Sequence, residues 1–477
     1  MLTKEEFRKE AYAMVDRILD YYDNIDEYPV KSQVAPGEVF SKLPRHIPQK
    51  GEGMEQILAD FDKIIMPGIT HWQSPNFYAY FPANSSYASQ LGEMLMTAIG
   101  AQCMKWETSP AAAELEEMVM IWLRDILGLP DTFTGVIQDT ASGGTLCAML
   151  TARERYSGLD INKKGYSGQK TLRVYCSEET HSSIEKGAKI MGIGSDNVVK
   201  VSLDDKFSMR SDILKEHISS DTAKGYVPLC VVATIGTTGS TAIDPLKEIA
   251  EICKEYNIWL HVDAAYAGSA LCLPEYEWVK EGIEHADSFV FNPHKWLFTN
   301  FDCSAYFVRD KKALINTFEI MPEYLKTNVD DEVNNYCDWG IPLGRRFRAL
   351  KLWFVLRNFG LEGIKEKLRK HMSLAKDFEE KVKASEGFKI MAPVNFNLVC
   401  FQFNPEDSKG SQAINVLNKN LMDSINKEGQ IYLTHTKLKG DMVLRMAIGQ
   451  TNVASEHIEK AWNLIVRHAE MLKAKPG

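Results

Sequence analysis

The 477-residue sequence contains no apolar run that approaches the roughly 18 residues a membrane-spanning helix requires. Its first ten residues are mostly charged and lack the apolar centre of a secretory signal peptide. Positive charge is not in excess, because the formal net charge is −9 and the sequence pI is about 5.8. We therefore expect a soluble, cytoplasmic protein that has neither a nucleic acid nor a membrane as a partner.

Paired spacing of cysteines is also absent. The nine cysteines are an odd number and occur singly, mostly inside apolar runs. They are therefore predicted to be reduced residues of the core rather than disulfide partners. The eleven histidines show no ligand spacing with cysteines or acidic residues, so no metal site is expected.

The composition, with 45% hydrophobic and 25% charged residues, is that of an ordinary globular protein long enough for two or three lobes. Helical periodicity is clear at 5–22 and at 54–65. Because so short a leading segment has little chance of forming a core alone, residues 1–79 are predicted to clasp a second subunit. Residues 80–350 are predicted to form a large α/β domain, and residues 351–477 a smaller α+β domain.

Strands alternate with helices in the middle of the chain. Strand-like runs at 227–235, 258–262 and 289–291 each stop at small or polar residues, and Asp244-Pro245 is predicted to cap a helix between the first two. This alternation predicts a mostly parallel sheet with its site at the carboxyl ends of the strands. The candidate residues at those ends are Thr238, Asp263, His294 and Lys295.

Lys295 has the sequence context of a reactive lysine. Pro293 ends the preceding strand-like run, so Lys295 is predicted to lie on a turn, followed by the apolar residues Trp296, Leu297 and Phe298. Loss of hydration among apolar neighbours lowers the pKa of a lysine and provides the neutral amine that Schiff-base chemistry needs. Without further signals, a solvated lysine beside a turn is the more common interpretation.

Four other segments carry weaker signals. Small residues at 140–145 precede a predicted helix, where backbone N–H groups would bind a phosphate, although glycine-containing helix starts are common. His181 follows a strand-like run and is either a site residue or an ordinary surface histidine. The polar run 323–335, which contains Tyr324, is interpreted as a surface loop or as a lid. The aromatic segment 71–82 is either an irregular core loop or the wall of a pocket for a flat ligand.

Four motifs together are typical of one enzyme family. They are Asn292-Pro293-His294-Lys295-Trp296, His261-Val262-Asp263-Ala264-Ala265-Tyr266-Ala267-Gly268, Ile341-Pro342-Leu343-Gly344-Arg345-Arg346-Phe347 and Trp106-Glu107-Thr108-Ser109-Pro110. With them the chain resembles the aromatic L-amino-acid decarboxylases, from about residue 12 to about residue 472. This resemblance implies the pyridoxal 5′-phosphate (PLP)-dependent transferase fold of the aspartate-aminotransferase type, with PLP bound by residues 80–350. It also implies a homodimer with the active site at the subunit interface.

The resemblance also implies residue roles. Lys295 would hold PLP as a Schiff base, Asp263 would pair with the pyridine nitrogen, and His181 would stack on the ring. Tyr324 would return a proton to the product, which completes the catalytic set. Further cofactor contacts are implied for Ala141, Ser142, Thr238, Ala265, Asn292 and His294. The substrate side chain would contact Trp72, Tyr80, Phe81, Pro82, Met104 and Gly344.

The implied activity is decarboxylation of tryptophan, phenylalanine, tyrosine or dihydroxyphenylalanine to the amine and carbon dioxide. The first alternative is an aldehyde synthase, although such relatives commonly carry phenylalanine where this chain has Tyr324. A decarboxylase of another amino acid such as histidine, an aminotransferase and a non-catalytic binding protein are the others. The preferred ring stays open, since Met104 replaces an aromatic residue of several relatives and phenol-preferring relatives can carry serine in place of Gly344.

Overall fold

The structure is a computed structural model that describes residues 2–156, 159–166, 168–320, 332–405 and 410–473. The chain divides into two compact units. The large unit consists of Ala83–Lys376 and Ala392–Cys400, and the small unit of Met1–Pro82, Asp377–Met391 and Phe401–Gly477. The predicted division at 79/80 and 350/351 stays a prediction. Within the described residues, no helix is both long enough and apolar enough to cross a membrane.

The large unit is built on a seven-stranded sheet with the order β1-β7-β6-β5-β4-β2-β3. Neighbouring strands from β6 to β3 run parallel, whereas β7 is antiparallel to both β6 and β1. The sheet is therefore mixed but mostly parallel, as the alternation of strands and helices predicts. The strands are β1 (Thr134–Gln138), β2 (Leu172–Ser177), β3 (Val198–Val201), β4 (Val227–Thr234), β5 (Trp259–Asp263), β6 (Ser288–Phe291) and β7 (Ser304–Val308).

The helices of the large unit fill most of the connections between these strands. Several begin or end at residues that favour such positions: Pro110 starts α5 and Gly128, with φ of 65°, ends it. The helices are α4 (Tyr87–Ile99), α5 (Pro110–Leu127), α6 (Ala141–Arg155), α7 (Ile161–Lys164), α8 (Ser183–Ile190), α9 (Ser211–Ala223), α10 (Leu246–Tyr256), α11 (Pro293–Trp296), α12 (Lys311–Phe318) and the first part of α13 (Arg348–Ala384).

The small unit contains the leading helices and a four-stranded sheet with the order β10-β11-β9-β8. Helix α1 begins with a capping box, in which the Thr3 hydroxyl accepts the Glu6 N–H and the Glu6 carboxylate accepts the Thr3 N–H. The other elements are α2 (Glu38–Lys42), α3 (Met54–Asp60), β8 (Phe388–Ile390), β9 (Leu398–Phe403), α14 (Ser411–Glu428), β10 (Thr434–Leu438), β11 (Asp441–Ala447) and α15 (Ser455–Lys473), after α1 at Lys4–Asp23.

One local expectation is wrong in part. Pro245 occupies the cap position of α10, but the Asp244 side chain does not cap the helix, because its carboxylate accepts the N–H groups of Met209 and Thr234, both at 2.8 Å. Helix α13 kinks at Gly360. The predicted fold class is confirmed by the mostly parallel sheet with its covering helices and by the second, smaller sheet.

All nine cysteines are buried and none forms a disulfide, which confirms the prediction of reduced core residues. Burial raises the pKa of the Cys147 and Cys303 thiols to about 12, since a buried thiolate loses its hydration. Cys147, Cys176 and Cys230 belong to a cluster of buried apolar residues of the large unit, which includes Val136, Met149, Val174, Val232, Val290 and Tyr306.

Candidate active site

The strands of the large sheet place the candidate residues at their carboxyl ends, as predicted. Thr140 and Ala141 follow β1, His181 follows β2, and Thr238 follows β4. Asp263 is the last residue of β5. The lysine motif follows β6 directly, with Asn292 at the N-cap of the single helical turn α11 and Lys295 within that turn. The carboxyl ends of adjacent parallel strands meet at one edge, which is where open α/β sheets bind their ligands.

The turn after β5 and the turn after β6 are joined by backbone hydrogen bonds. Asp263 is buried, and its Oδ1 accepts the N–H of Ala265 at 3.0 Å. The carbonyl of Ala265 accepts the N–H of Asn292 at 3.0 Å. The Oδ1 atom of Asn292 is also buried and accepts no hydrogen bond from any residue that the structure describes. A buried amide oxygen without a donor is uncommon in proteins, and it indicates a partner outside the described chain.

Lys295 is held by its backbone. Its N–H donates to the carbonyl of Asn292 at 2.9 Å, and its carbonyl accepts the Nδ2 group of Asn84 at 2.6 Å. Burial lowers the pKa of the Lys295 ammonium, while the nearby Asp263 carboxylate acts in the opposite direction. The net effect is a lysine that gives up its proton more readily than a solvated one does.

His294 has a defined tautomer. Its Nδ1 atom accepts the N–H of Cys303 at 2.9 Å, and its own backbone N–H donates to the Cys303 carbonyl at 3.2 Å. Burial lowers the pKa of His294 to about 3, and the neighbouring Lys295 adds to this effect. The ring is therefore neutral at physiological pH, with its proton on Nε2, where it is a hydrogen-bond donor.

His181 belongs to the same electrostatic cluster. Its Nδ1 atom accepts the N–H of Ser183 at 3.2 Å and lies 2.8 Å from the Ser183 hydroxyl. Removal of water from around the ring lowers the pKa of His181, which Asp263 raises and Lys295 lowers further. The structure thus brings His181, Asp263 and Lys295 within electrostatic reach of one another.

The amino end of α6 is a candidate anion site. Ala141 and Ser142 are its first two residues, and the Thr140 hydroxyl accepts the N–H of Gly143 at 3.3 Å. The first N–H groups of a helix have no acceptor within the helix, and the helix dipole favours a negative charge there. Ser142 is exposed and Ala141 is buried.

His261 is a buried residue of the region that sequence reasoning assigned no role of its own. Its Nε2 atom lies 3.0 Å from the Thr145 hydroxyl on α6, and its Nδ1 atom lies 2.9 Å from the Ser288 hydroxyl on β6. It therefore connects α6 to β5, which ends at Asp263, and to β6, which Lys295 follows. Asn84 was missed as well, because its contact partner Lys295 is 211 residues away in the sequence and no local sequence pattern predicts this contact.

Thr238 is exposed on the loop between β4 and α10. This loop is closed at its base, where Asp244 both donates its N–H to the Thr234 carbonyl at 2.9 Å and accepts the Thr234 N–H. Ile235 donates to the carbonyl of Asp263 at 2.9 Å. The loop that carries Thr238 is thus tied to the strand end that carries Asp263.

The predicted substrate-contacting residues form two groups, one in the small unit and one in the large unit. In the small unit, the rings of Trp72 and Tyr80 stack with centroids 5.7 Å apart, and the Arg445 guanidinium lies 5.2 Å from the Phe81 ring centroid. Pro82 is buried beside Phe81 in the chain.

In the large unit, the carbonyl of Met104 accepts the N–H of Cys337 at 2.9 Å. A methyl group at Gly344 would meet nothing closer than the Gln102 side chain at 3.7 Å. Tyr324, the predicted proton donor, lies outside the described residues. Its role stays a prediction.

A buried lysine and a strand-end carboxylate interact, and a helix begins after another strand of the same sheet. This arrangement is that of a pyridoxal-phosphate lysine site. Residues 36–404 match the family described as "Pyridoxal-dependent decarboxylase conserved domain", and the chain belongs to this family. It is a PLP-dependent carboxy-lyase.

Similarity to characterised relatives extends over nearly the whole chain. The chain is 43% identical to tyrosine decarboxylase 1 of Narcissus pseudonarcissus, over 99% of this chain and 94% of the relative. It is also 43% identical to phenylacetaldehyde synthase of Petunia hybrida, over 99% of this chain and 96% of the relative. Among solved structures, Catharanthus roseus tryptophan decarboxylase in complex with L-tryptophan matches with a TM-score of 0.93 at 41% identity, over 99% of both chains.

Proposed function

We propose that this enzyme removes the carboxylate of aromatic L-amino acids and releases the corresponding amines. The observation that carries the proposal is an intact lysine motif at the end of β6 in a chain 43% identical, over 99% of its length, to a tyrosine decarboxylase. The match to tryptophan decarboxylase of Catharanthus roseus supports the same substrate class. Release of amine from tryptophan, phenylalanine, tyrosine and dihydroxyphenylalanine tests it, with histidine and glutamate as comparison substrates. If only histidine is turned over, the enzyme is a decarboxylase of histidine and the proposal is wrong.

The residues of the site fit PLP. Lys295, whose pKa is lowered, would supply the amine that binds the cofactor aldehyde, and the buried Asp263 would pair with the pyridine nitrogen and favour its protonated form. The amino end of α6, with Ala141 and Ser142, and the Nε2–H of His294 are donors suited to a phosphate. Asn292, whose buried Oδ1 accepts from no described residue, would add a further contact. Thr238 and Ala265 complete the set.

PLP, when bound, accepts the electron pair that carbon dioxide leaves behind. The task of the chain is then to orient the carboxylate and to return one proton. His181, which interacts electrostatically with Asp263 and Lys295, would stack on the cofactor ring and contact the substrate, and Tyr324 would return the proton to the α carbon. From the sequence resemblance, substrate contacts are assigned to Trp72, Tyr80, Phe81 and Pro82 of the small unit and, separately, to Met104 and Gly344 of the large unit.

The aldehyde synthase reaction is the second candidate, because phenylacetaldehyde synthase of Petunia hybrida is as similar as the tyrosine decarboxylase. Tyr324 favours the amine product, since a positioned general acid speeds proton return by roughly 10²–10⁴-fold. Replacing Tyr324 with phenylalanine keeps the ring and removes that proton. Tyr324→Phe is therefore expected to lose amine and to gain aldehyde, ammonia and hydrogen peroxide under air. Unchanged amine production without peroxide would exclude Tyr324 as the donor.

We also propose that the enzyme is a cytoplasmic homodimer whose subunits meet at α4. This helix buries Ala88, Ser89, Gly92 and Met96 and exposes a continuous apolar stripe on its opposite face. That stripe consists of Tyr87, Leu91, Met94, Leu95 and Ile99, each between 44% and 57% exposed. An apolar stripe of this extent on a surface helix is typical of an interface. Helix α1, with exposed Phe7, Tyr12, Val15 and Leu19, adds a second apolar surface.

Light scattering of the purified protein tests the dimer. The Leu91→Glu variant is expected to shift the protein to monomers, because two buried charges would face the interface. Val416→Glu is the matched control, since Val416 is 55% exposed on α14 in the small unit. A Leu91→Glu protein that stays dimeric at the parent's affinity would place the interface elsewhere.

A further inference from the structure

Trp296, the residue after Lys295, is fixed by a hydrogen bond to a distant histidine. Its side chain is fully buried, and its Nε1–H donates to Nδ1 of His371 at 3.0 Å. The two ring planes are inclined by only 12°. The distance is normal for a hydrogen bond between a nitrogen donor and a nitrogen acceptor.

A face of the indole packs against the turn after β5. The Tyr266 ring stacks on Trp296 with centroids 5.1 Å apart and planes at 10°, and its hydroxyl accepts the Nδ2 group of Asn397 at 2.7 Å. Tyr266 directly follows Ala265, whose carbonyl accepts the N–H of Asn292. The Tyr266–Trp296–His371 column thus connects the turn that carries Asp263 to the turn that carries Lys295.

His371 acts only as an acceptor here. It lies on α13 beyond the kink at Gly360, is 1% exposed, and its ring packs edge-to-face on Phe298 with centroids 6.0 Å apart. Burial lowers its pKa to about 3, with Lys367 and Lys370 adding to the effect. The ring is therefore neutral with the proton on Nε2, and Nδ1 can accept from an indole, which is a donor only.

We propose that His371 is a positioning residue for Lys295. By fixing the Trp296 indole against Tyr266, His371 holds α11 in one orientation and so sets where the Lys295 amine lies relative to Asp263. Asn84 holds the Lys295 carbonyl from the other side. The inference rests on the proposed function in one respect, namely that Lys295 is the lysine that binds PLP. It requires nothing about which amino acid is the substrate.

Three variants test the proposal. His371→Leu keeps the side-chain volume but removes the acceptor, His371→Asn keeps an acceptor oxygen near the position of Nδ1, and Trp296→Phe removes the donor but keeps an aromatic ring. For the PLP-loaded enzyme without substrate, we expect His371→Leu to shift the visible absorption maximum and the pH midpoint of its change. We expect a fall in kcat on the order of tenfold with KM nearly unchanged, the rate equivalent of one buried hydrogen bond. His371→Asn is expected to restore most of each property.

The effect of His371→Leu is compared in the parent and in the Trp296→Phe background. This comparison distinguishes a positioning role for His371 from a general effect on stability. In the Trp296→Phe background, His371→Leu should have little further effect on the spectrum or on kcat, because the donor is already gone. Equal effects in both backgrounds, or an impaired His371→Asn, would overturn the proposal. If His371→Leu does not fold, Trp296→Phe alone must shift the spectrum, and a parent-like spectrum would overturn it.

His468→Leu is the matched control. His468 is also buried and hydrogen-bonded, through Nδ1 to Ser424 at 2.9 Å and through Nε2 to Glu428 at 2.7 Å, but it belongs to the small unit. Its loss should lower the thermal midpoint of the protein without PLP and leave the spectrum unchanged. A spectral shift equal to that of His371→Leu would contradict the proposal. The spectral readouts need no amino acid, so a wrong substrate assignment leaves them valid.

Discussion

At the scale of single residues, Lys295 is the place where burial and charge oppose each other. A carboxylate such as Asp263 favours the protonated lysine, whereas burial favours the neutral amine. Burial is the larger effect, so the pKa of Lys295 is lowered. A lysine with a lowered pKa releases its proton more readily, and attack on an aldehyde requires the neutral amine.

Borohydride reduction of the PLP-loaded enzyme reports which lysine carries the cofactor. The parent protein should retain PLP covalently after reduction, and Lys295→Ala should lose it, because no amine is left to form the bond. Lys311→Ala is the matched control, since burial also lowers the pKa of Lys311 but this residue lies on α12, away from the strand ends. Covalent PLP in reduced Lys295→Ala would show that another lysine is the anchor.

Gly344 is the residue where ring preference can be tested directly. A methyl group added there would lie 3.7 Å from Gln102, which is ordinary contact, so Gly344→Ser is expected to fold normally. If Gly344 leaves room for an indole, serine should lower kcat/KM for tryptophan relative to tyrosine by about 10-fold, within the usual range for a small change in pocket shape. Competition between the two amino acids measures this ratio. An unchanged ratio would mean that Gly344 does not determine the preference between tryptophan and tyrosine.

Sequence reasoning found the residues that lie in compact motifs and missed those that act across long separations. Lys295 and Asp263 stand at the ends of apolar runs within recognisable motifs, so their positions are predictable. His371 and Asn84 contact the lysine segment from positions 75 and 211 residues away from their partners. Neither has a local pattern, because a buried histidine in an amphipathic helix is as compatible with simple packing as with a specific hydrogen bond.

At the scale of elements, the alternation of strands and helices predicted the parallel part of the sheet correctly. It did not predict that β7 inserts antiparallel between β6 and β1, because strand order depends on tertiary packing rather than on periodicity. Asp244 shows a similar limit. Its position before Pro245 is typical of a helix cap, but its carboxylate instead bonds the N–H groups of Met209 and Thr234.

A buried ion pair between elements gives the clearest stability prediction. Arg345 donates to Glu116 of α5 at 2.6 and 3.1 Å and to the Ile137 carbonyl of β1 at 2.7 Å, and both charged side chains are less than 10% exposed. Glu116→Gln leaves a buried guanidinium without its counter-charge and should reduce the free energy of unfolding by about 3–5 kcal/mol. Urea unfolding of the protein without PLP measures this loss.

The exposed neighbour Glu117 provides the control for that experiment, because Glu117→Gln should change the free energy of unfolding by less than about 0.5 kcal/mol. The double variant Glu116→Leu/Arg345→Leu should be more stable than Glu116→Gln, since it removes the unpaired charge. A Glu116→Gln protein as stable as Glu117→Gln would mean that water hydrates the Arg345 guanidinium or that another group neutralises its charge.

At the scale of the whole molecule, three buried histidines make the fold sensitive to acid. Burial lowers the pKa of His261 to about 4 and of His294 and His371 to about 3, whereas an unfolded histidine titrates near 6.5. Below about pH 6.5 the unfolded chain therefore binds protons that the folded chain does not, and stability falls as the pH falls. Asp244 acts in the opposite sense up to about pH 7, because burial raises its pKa to about 7.

His371→Asn isolates one of these contributions. Removing one buried histidine should reduce the loss of stability between pH 6.5 and pH 4 by about 1.4 kcal/mol per pH unit, the linkage value for one proton. Urea unfolding at several pH values measures the difference between parent and variant, in which the Asp244 contribution cancels. Parallel pH profiles for the two proteins would mean that His371 is charged in the folded state.

The nine buried thiols can report which elements of the fold open transiently. A thiol reagent reaches Cys147 in α6, Cys230 in β4 or Cys400 in β9 only when that element separates from its neighbours, because each is at most 1% exposed in the folded state. Labelling the native enzyme and identifying the modified peptides over time should therefore rank the elements by how often they open. Bound PLP should delay labelling of Cys303, whose N–H donates to the His294 ring and whose carbonyl accepts the His294 N–H. Cysteines at the far side of the sheet then serve as the internal time standard.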